Sequence, residues 1–163
     1  MHLSTAEEIL AEKGAYMFSV SPETTIFDTV KEMIERKIGS ILVKNEDQYV
    51  GIWTERDLLH NTFQEGFDAK KAKVRDHMTK ELISASHDAS ILQLKDMFLG
   101  RHLRHLLIER DGKYIGLLSI GDITKASLQA QADELKELSN IVHLDYYDEW
   151  RWKSKKRKKQ LGL

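Results

Sequence analysis

The chain has no cysteine among its 163 residues and a single proline, Pro22. Without cysteine it can form no disulfide, no thiolate nucleophile and no cysteine-ligated zinc or iron–sulfur centre, a composition that favours a reducing compartment. A long apolar run is also missing from residues 1–13, which carry Glu7, Glu8 and Glu12. We therefore expect neither a signal peptide nor a membrane span, and a cytoplasmic location.

The net charge of −1 conceals two segments of opposite charge. Seven of the 25 basic residues follow Trp150 with no acidic residue among them, so residues 1–150 hold 18 basic and 26 acidic residues, a net charge of −8. Because phosphate contacts need clustered Lys and Arg, we do not expect this acidic body to bind nucleic acid. The apolar content of 41% predicts a folded core.

One sequence pattern occurs twice, 65 positions apart and without a gap. Residues 51–58 (GIWTERDL) correspond to residues 116–123 (GLLSIGDI), and the same offset aligns Tyr49 with Tyr114. Such a repeat predicts one supersecondary unit used twice, in which each copy needs the other to bury its apolar face. A cleft between the copies is therefore the first place to expect a binding site.

Apolar spacing predicts the order β-α-β-β-α in each copy. In the first copy we expect an extended segment, a helix, two hairpin strands and a closing helix at residues 16–20, 25–37, 41–43, 49–53 and 55–63. In the second copy the same elements are expected at residues 82–85, 91–99, 106–108, 114–118 and from 122 onward. In the first closing helix, Leu58, Leu59 and Phe63 are expected to face inward.

The predicted organisation has four parts. They are a first repeat with a short N-terminal helix (1–65), a linker (66–77), a second repeat (78–128), and a helix with an aromatic and basic tail (129–163). The last helix is expected to run on through Leu138. The fold class is α/β (α+β), with the two repeats packed as a pseudo-two-fold pair.

In each copy a hydroxyl residue stands three places before an aspartate, where a strand meets a helix. These pairs are Thr54 with Asp57 and Ser119 with Asp122. One interpretation is structural, because Ser or Thr followed by an acid at this spacing forms a capping box at a helix start. The other is binding, because a helix N-terminus attracts anions and a carboxylate there can accept hydrogen bonds from ribose hydroxyls. The two roles are compatible.

Several motifs in fixed order resemble the cystathionine-β-synthase (CBS) domain family. They are residues 9–14 (ILAEKG), 51–58, 74–79 (VRDHMT), 103–106 (LRHL) and 116–123. Two CBS domains in tandem form a Bateman module, so the resemblance implies a non-catalytic regulatory module that dimerises through its helices. It also implies an adenine-containing ligand between the repeats, with AMP favoured, then NAD or ATP, and ADP or S-adenosylmethionine as further candidates.

The resemblance also implies roles for particular residues. Asp57 and Asp122 would bind ribose hydroxyls, with Thr54 and Ser119 near ribose or phosphate and Gly121 beside them. The residues that lead into the second strand of each copy would frame the adenine through backbone and apolar contacts. Two residues beside the first extended segments are weaker candidates for ligand contacts. The framing residues are Ile38, Gly39, Ser40, Leu103, Arg104 and His105, and the weaker candidates are Thr24 and Ser84. Arg56, by its place in the Thr-Glu-Arg-Asp run, would contact phosphate.

The two clefts are not expected to be equivalent. Arg104 and His105 offer positive charge where the first copy has Gly39 and Ser40. The chain also departs from the family pattern, since Leu42 and Leu107 replace prolines that many members have there, and His87 and Ala89 replace a proline and a threonine.

Other functional classes are less well supported by the residues. His102 and His105 lack the carboxylate spacing of a metal site, so we expect no metal, and no nucleophile or phosphate-loop motif predicts catalysis. In the tail, Tyr146, Tyr147 and Trp150 precede the basic run. An alternative function is therefore a dimeric platform whose tail binds nucleic acid, an anionic membrane or a protein, although the pattern favours packed aromatics with a solvated basic end, because short basic ends are common.

Overall fold

The structure is a computed structural model and describes residues 5–136. A helix, α1 (Ala6–Lys13), precedes two units of the same order. The first unit consists of β1 (Ser19–Val20), α2 (Ile26–Arg36), β2 (Ser40–Asn45), β3 (Gln48–Thr54) and α3 (Glu55–Thr62). The second consists of β4 (Ser84–Ser86), α4 (Ile91–Gly100), β5 (His105–Arg110), β6 (Lys113–Ser119) and α5 (Ile120–Lys136). The predicted β-α-β-β-α order is confirmed in both copies.

Each unit has its own three-stranded sheet with the same topology. In the first sheet β2 lies between β1, which is parallel to it, and β3, which is antiparallel. The second sheet has β5 between β4 and β6 in the same way. Both hairpins also contain a register shift at equivalent places, after Val43 and after Ile108.

The repeat extends to unusual backbone conformations. Lys37 and His102, 65 positions apart, have φ angles of 57° and 51° after the first helix of each unit. Glu46 and Asp111, also 65 apart, have φ angles of 51° and 50° in the hairpin turns. Few residues other than glycine adopt this left-handed region readily, so the tight connections were retained in both copies despite different side chains.

The segments that enter each unit pack on the other unit. Ala6, Ile9 and Leu10 of α1 belong to the core of the second unit, together with Phe98 and Leu118. Conversely, Val74, which stands in a 3-10 turn (Val74–Asp76) ahead of the second unit, is fully buried in the core of the first. This exchange ties the two units together, because each core contains a segment that leads, along the chain, into the other unit.

The inward face of α3 differs from the prediction. Leu58 packs on the first core as expected. The prediction for Leu59 and Phe63 is wrong, because their side chains are 71% and 96% exposed. The physical reason is that a helix of eight residues presents one narrow stripe to the core, and Leu58 and Asn61 occupy it three positions apart.

Candidate functional site

Thr54 and Asp57 form the predicted capping box where β3 passes into α3. Asp57 Oδ2 accepts hydrogen bonds from the Thr54 backbone N–H and from Thr54 Oγ1, both at 2.9 Å. The Asp57 N–H donates back to Thr54 Oγ1 at 3.4 Å. These bonds satisfy amides that have no partner within the helix, and they fix the carboxylate at the helix N-terminus.

A buried contact fixes α3 against its strand. Trp53 Nε1 donates to Asn61 Oδ1 at 3.1 Å, and Asn61 Nδ2 lies 3.1 Å from His77 Nδ1. Trp53 is 1% exposed, so this bond is made in the core of the first unit. Asp57 therefore stands on a helix whose orientation is set from both its ends.

The same arrangement is present 65 residues later, at the start of α5. Asp122 Oδ2 accepts from the Ser119 N–H and from Ser119 Oγ, both at 2.7 Å, and the Asp122 N–H donates to Ser119 Oγ at 3.2 Å. The structural interpretation of both hydroxyl–aspartate pairs is thus confirmed. It leaves a carboxylate oriented at each helix start.

An open cleft of about 200 Å³ lies between the two units; we call it the first cleft. Thr54 and Asp57 line it from the first unit. Leu103, Arg104 and His105 line it from the second unit. Five of the predicted site residues, in two groups about 50 positions apart in the sequence, thus line one cleft. The cleft lies between the two units, where the repeat predicts a binding site.

The first cleft combines a carboxylate with positive charge. Arg104 of the second unit and Asp57 of the first both line it, and the next residue, His105, is partly buried. Burial, followed by the positive charges of Arg104 and Lys13, lowers the pKa of His105 from 6.5 to about 4, against an opposing effect of Asp122. At neutral pH the imidazole is therefore uncharged, and Arg104 is the lining residue that brings a permanent positive charge to the first cleft.

At the second helix start, Asp122 is paired with a residue of α1. Lys13 Nζ lies 2.7 Å from Asp122 Oδ2 and also donates to the Leu117 carbonyl at 2.8 Å. Burial raises the pKa of Asp122, but the hydrogen bonds from Lys13 and Ser119 outweigh it and hold the pKa below 3.8. Asp122 is therefore ionised at neutral pH.

The remaining predicted residues lie elsewhere on the molecule. Ile38, Gly39 and Ser40 lead into β2, 65 positions before their counterparts in the first cleft. Thr24 lines a surface groove beside α2, and Ser84 Oγ donates to Glu109 at 3.0 Å within the second sheet. Exposed positions in the first turns of α3 and α5 are occupied by Arg56 and Gly121. Neither is among the residues that line the first cleft.

Sequence reasoning missed several residues that line the first cleft. Thr79, Glu81, Leu82 and Ile83 reach it from the segment that enters the second unit. Residues 74–79 were part of the recognised motif, but a motif match does not show which of its side chains face a cleft. Lys13 was also missed, since its contact with Asp122 spans 109 positions of the sequence.

The model of the CBS domain matches the chain twice, over residues 6–62 and 74–129. The chain belongs to the CBS domain family. The two matches coincide with the two structural units, so residues 6–129 form a CBS pair. In the described part of the chain no helix is long and apolar enough to cross a membrane.

Relatives of known sequence or structure agree with this assignment. The mitochondrial CBS domain-containing protein CBSX3 of Arabidopsis thaliana is 28% identical over 153 residues, which cover 88% of this chain and 74% of CBSX3. A CBS-domain-containing protein of Agrobacterium tumefaciens is similar in structure, with a TM-score of 0.72 and 30% identity over 76% of this chain and 92% of that one. CBSX2, crystallised in complex with AMP, shares the fold with a TM-score of 0.60 and 24% identity over 73% and 91% of the two chains.

Proposed function

We propose that the CBS pair is a non-catalytic regulatory module that binds an adenine nucleotide in the first cleft, with AMP favoured, then NAD or ATP. The observation that carries the proposal is the meeting of Thr54 and Asp57 from one unit with Leu103, Arg104 and His105 from the other. A carboxylate, a cation and an apolar wall facing each other match the three parts of a nucleotide. CBSX2, which shares this fold, binds AMP.

Each part of the nucleotide has a counterpart in the first cleft. The Asp57 carboxylate suits the vicinal ribose hydroxyls, because it can accept hydrogen bonds from both. The N-terminus of α3 and the guanidinium of Arg104 suit phosphate. Leu82, Ile83 and Leu107 supply an apolar surface for adenine.

The proposal is tested by calorimetry and thermal unfolding with AMP, ADP, ATP, NAD and S-adenosylmethionine. A ligand present at 100 times its dissociation constant should stabilise the native state by about 2.7 kcal/mol. Asp57→Asn should weaken binding at least tenfold while it keeps a capping acceptor at the helix start. If none of the five ligands binds at millimolar concentration, the proposed function is wrong.

Replacing Arg104 separates phosphate recognition from nucleoside recognition. Arg104→Gln should weaken AMP binding and leave adenosine binding nearly unchanged, because the guanidinium is assigned to phosphate. Arg101→Gln is the matched control, since Arg101 is exposed just after α4 and does not line the first cleft. Arg56→Gln tests the sequence prediction that Arg56 contacts phosphate. Equal loss in all three variants would indicate a general effect of charge rather than a site.

We further propose that the CBS pair forms a homodimer through its helices. Exposed apolar side chains occur in pairs 65 positions apart, on equivalent helices or just after them: Phe27 and Leu92, Ile34 and Leu99, Phe63 and Leu128. Paired apolar positions that no core buries favour a partner surface. Sedimentation should show a dimer that Phe63→Ser weakens. The alternative role of the basic tail falls outside the described residues and stays a prediction, as does the cytoplasmic location.

A further inference from the structure

The entry segments of the two units place different residues beside the two helix starts. Lys13 stands at the end of α1, and Met78 stands 65 positions later, in the segment that enters the second unit. In the first unit the Thr79 N–H donates to the Ile52 carbonyl at 2.9 Å. The equivalent carbonyl of the second unit, that of Leu117, accepts from Lys13 Nζ instead. A side-chain ammonium thus takes the place of a backbone amide.

This substitution brings a cation to Asp122 and not to Asp57. Lys13 Nζ contacts Asp122 Oδ2, the same oxygen that accepts both hydrogen bonds of the Ser119 cap. Among the salt bridges of residues 5–136, one involves Asp122 and none involves Asp57. The thioether of Met78 carries no charge, so the carboxylate of the first cleft keeps its capacity to accept from a ligand.

The position of Lys13 is set by a helix that is itself well anchored. The Ala6 N–H donates to the Ala89 carbonyl at 2.8 Å, and Leu10 packs so closely on Gly116 that a Cβ there would lie 2.5 Å from its side chain. The side chains of Lys13 and Asp122 are 35% and 23% exposed. The ammonium is therefore held at the carboxylate by the packing of α1, and it is not a freely moving surface group.

A second difference acts in the same direction. Gly39 is the counterpart of Arg104, and the Glu55 side chain lies so close to Gly39 that a Cβ there would collide with its carboxylate. By the 65-residue correspondence, the segment equivalent to Leu103–His105 of the first cleft therefore has a carboxylate beside it where the first cleft has Arg104. An anionic ligand meets repulsion there rather than attraction.

We propose that Lys13 is a built-in competitor for the ribose-binding carboxylate of the second unit, so that a nucleotide fills the first cleft and reaches Asp122 only when the Lys13 ammonium leaves it. This inference rests on the proposed function. It makes Lys13 the residue that sets the stoichiometry of the CBS pair, through a contact between the segment ahead of the first unit and the helix that ends the second.

The test is the stoichiometry of AMP binding, measured by calorimetry and equilibrium dialysis on the full chain. The wild-type protein should bind one AMP per chain, and Asp57→Asn should weaken this binding at least tenfold while Asp122→Asn should not. Lys13→Met, which copies the residue of the first unit, should tighten binding at a second site at least tenfold. That gain should disappear in the double variant Lys13→Met with Asp122→Asn.

Two further variants control for the structural role of Lys13. Lys13→Gln removes the charge but keeps a donor for the Leu117 carbonyl, and it should also open the second site if Lys13→Met fails to fold. Lys13→Arg keeps the charge and should behave like the wild type. Thermal unfolding of each variant without ligand checks that α1 stays packed.

Three results would overturn the inference. They are two equal sites in the wild-type protein, a second site unchanged by Lys13→Met and Lys13→Gln, and a second site weakened by them, which would make Lys13 a phosphate ligand. In each case the proposed function stands, because AMP still binds at Asp57. If AMP binds to no variant, the proposed function fails and the inference fails with it.

Discussion

The lowered pKa of the partly buried His105 leads to a specific prediction about acid stability. Its pKa in the folded protein is about 4, compared with 6.5 for the free side chain, because of burial and then the nearby charges of Arg104 and Lys13. Between these two pH values the unfolded chain binds a proton that the folded protein does not. The free energy of unfolding should therefore fall as the pH falls from 6.5 to 4 and be independent of His105 above that range.

The expected size follows from the shift. A difference of 2.5 pH units between 6.5 and 4 corresponds to about 3.4 kcal/mol, at about 1.36 kcal/mol per unit. This value is an upper limit, and it is a large fraction of the free energy of unfolding of a small domain, which is about 5–15 kcal/mol. This part of the free energy of unfolding is fully present above pH 6.5, and it is lost as the pH falls to 4.

The assay is urea unfolding of the wild-type protein and of His105→Gln at several pH values from 7.5 to 4. Glutamine stays neutral over this range, so the variant should lose about 3 kcal/mol less than the wild type on acidification, whatever its stability at pH 7.5. Comparing slopes removes the contributions of all other titrating groups. Equal losses in the two proteins would refute the lowered pKa of His105.

Three further predictions concern packing and charge, and each is checked by unfolding measurements. Gly116→Ala should destabilise by about 1–3 kcal/mol because the new methyl group meets Leu10, whereas Gly100→Ala, with open space around it, should be neutral or stabilise by up to about 1 kcal/mol; equal effects would contradict the packing of α1. Trp53→Phe should cost about 1–3 kcal/mol, since it leaves the buried Asn61 oxygen without its donor, and Trp53→Phe with Asn61→Leu should recover part of that loss. Because the pKa of Asp122 lies below its usual 3.8, its pairing stabilises the fold at higher pH and is lost as the pH falls further, so Asp122→Asn should lower the free energy of unfolding near pH 7 and flatten its fall below pH 4.

Most of the local structure could be predicted from short stretches of sequence. The apolar spacing and the hydroxyl–aspartate pairs are contained in windows of a few to a dozen residues, and helices, hairpins and caps form from such windows. The offset of 65 residues is found by comparing one such window with another. The capping bonds of Thr54 with Asp57 and of Ser119 with Asp122 are found as predicted. The same is true of the two CBS units, whose motifs are read in order along the chain.

The tertiary structure decided which of these local features meet. Leu59 and Phe63 are as apolar as Leu58, and only the packing of α3 shows that they face outward. Thr79 and Glu81 reach the first cleft because the segment that holds them crosses to the other unit.

By itself, then, the sequence determined two copies of one unit, with a carboxylate at each helix start. Packing made the copies unequal, because it laid α1 on the second unit and brought Lys13 to Asp122 across 109 positions. Local patterns repeat wherever the residues repeat, but the segment ahead of the first unit is a helix of eight residues, and the one ahead of the second is a short turn. Because the segments that precede the two units differ in this way, Asp57 lines an open cleft, whereas Asp122 is paired with Lys13.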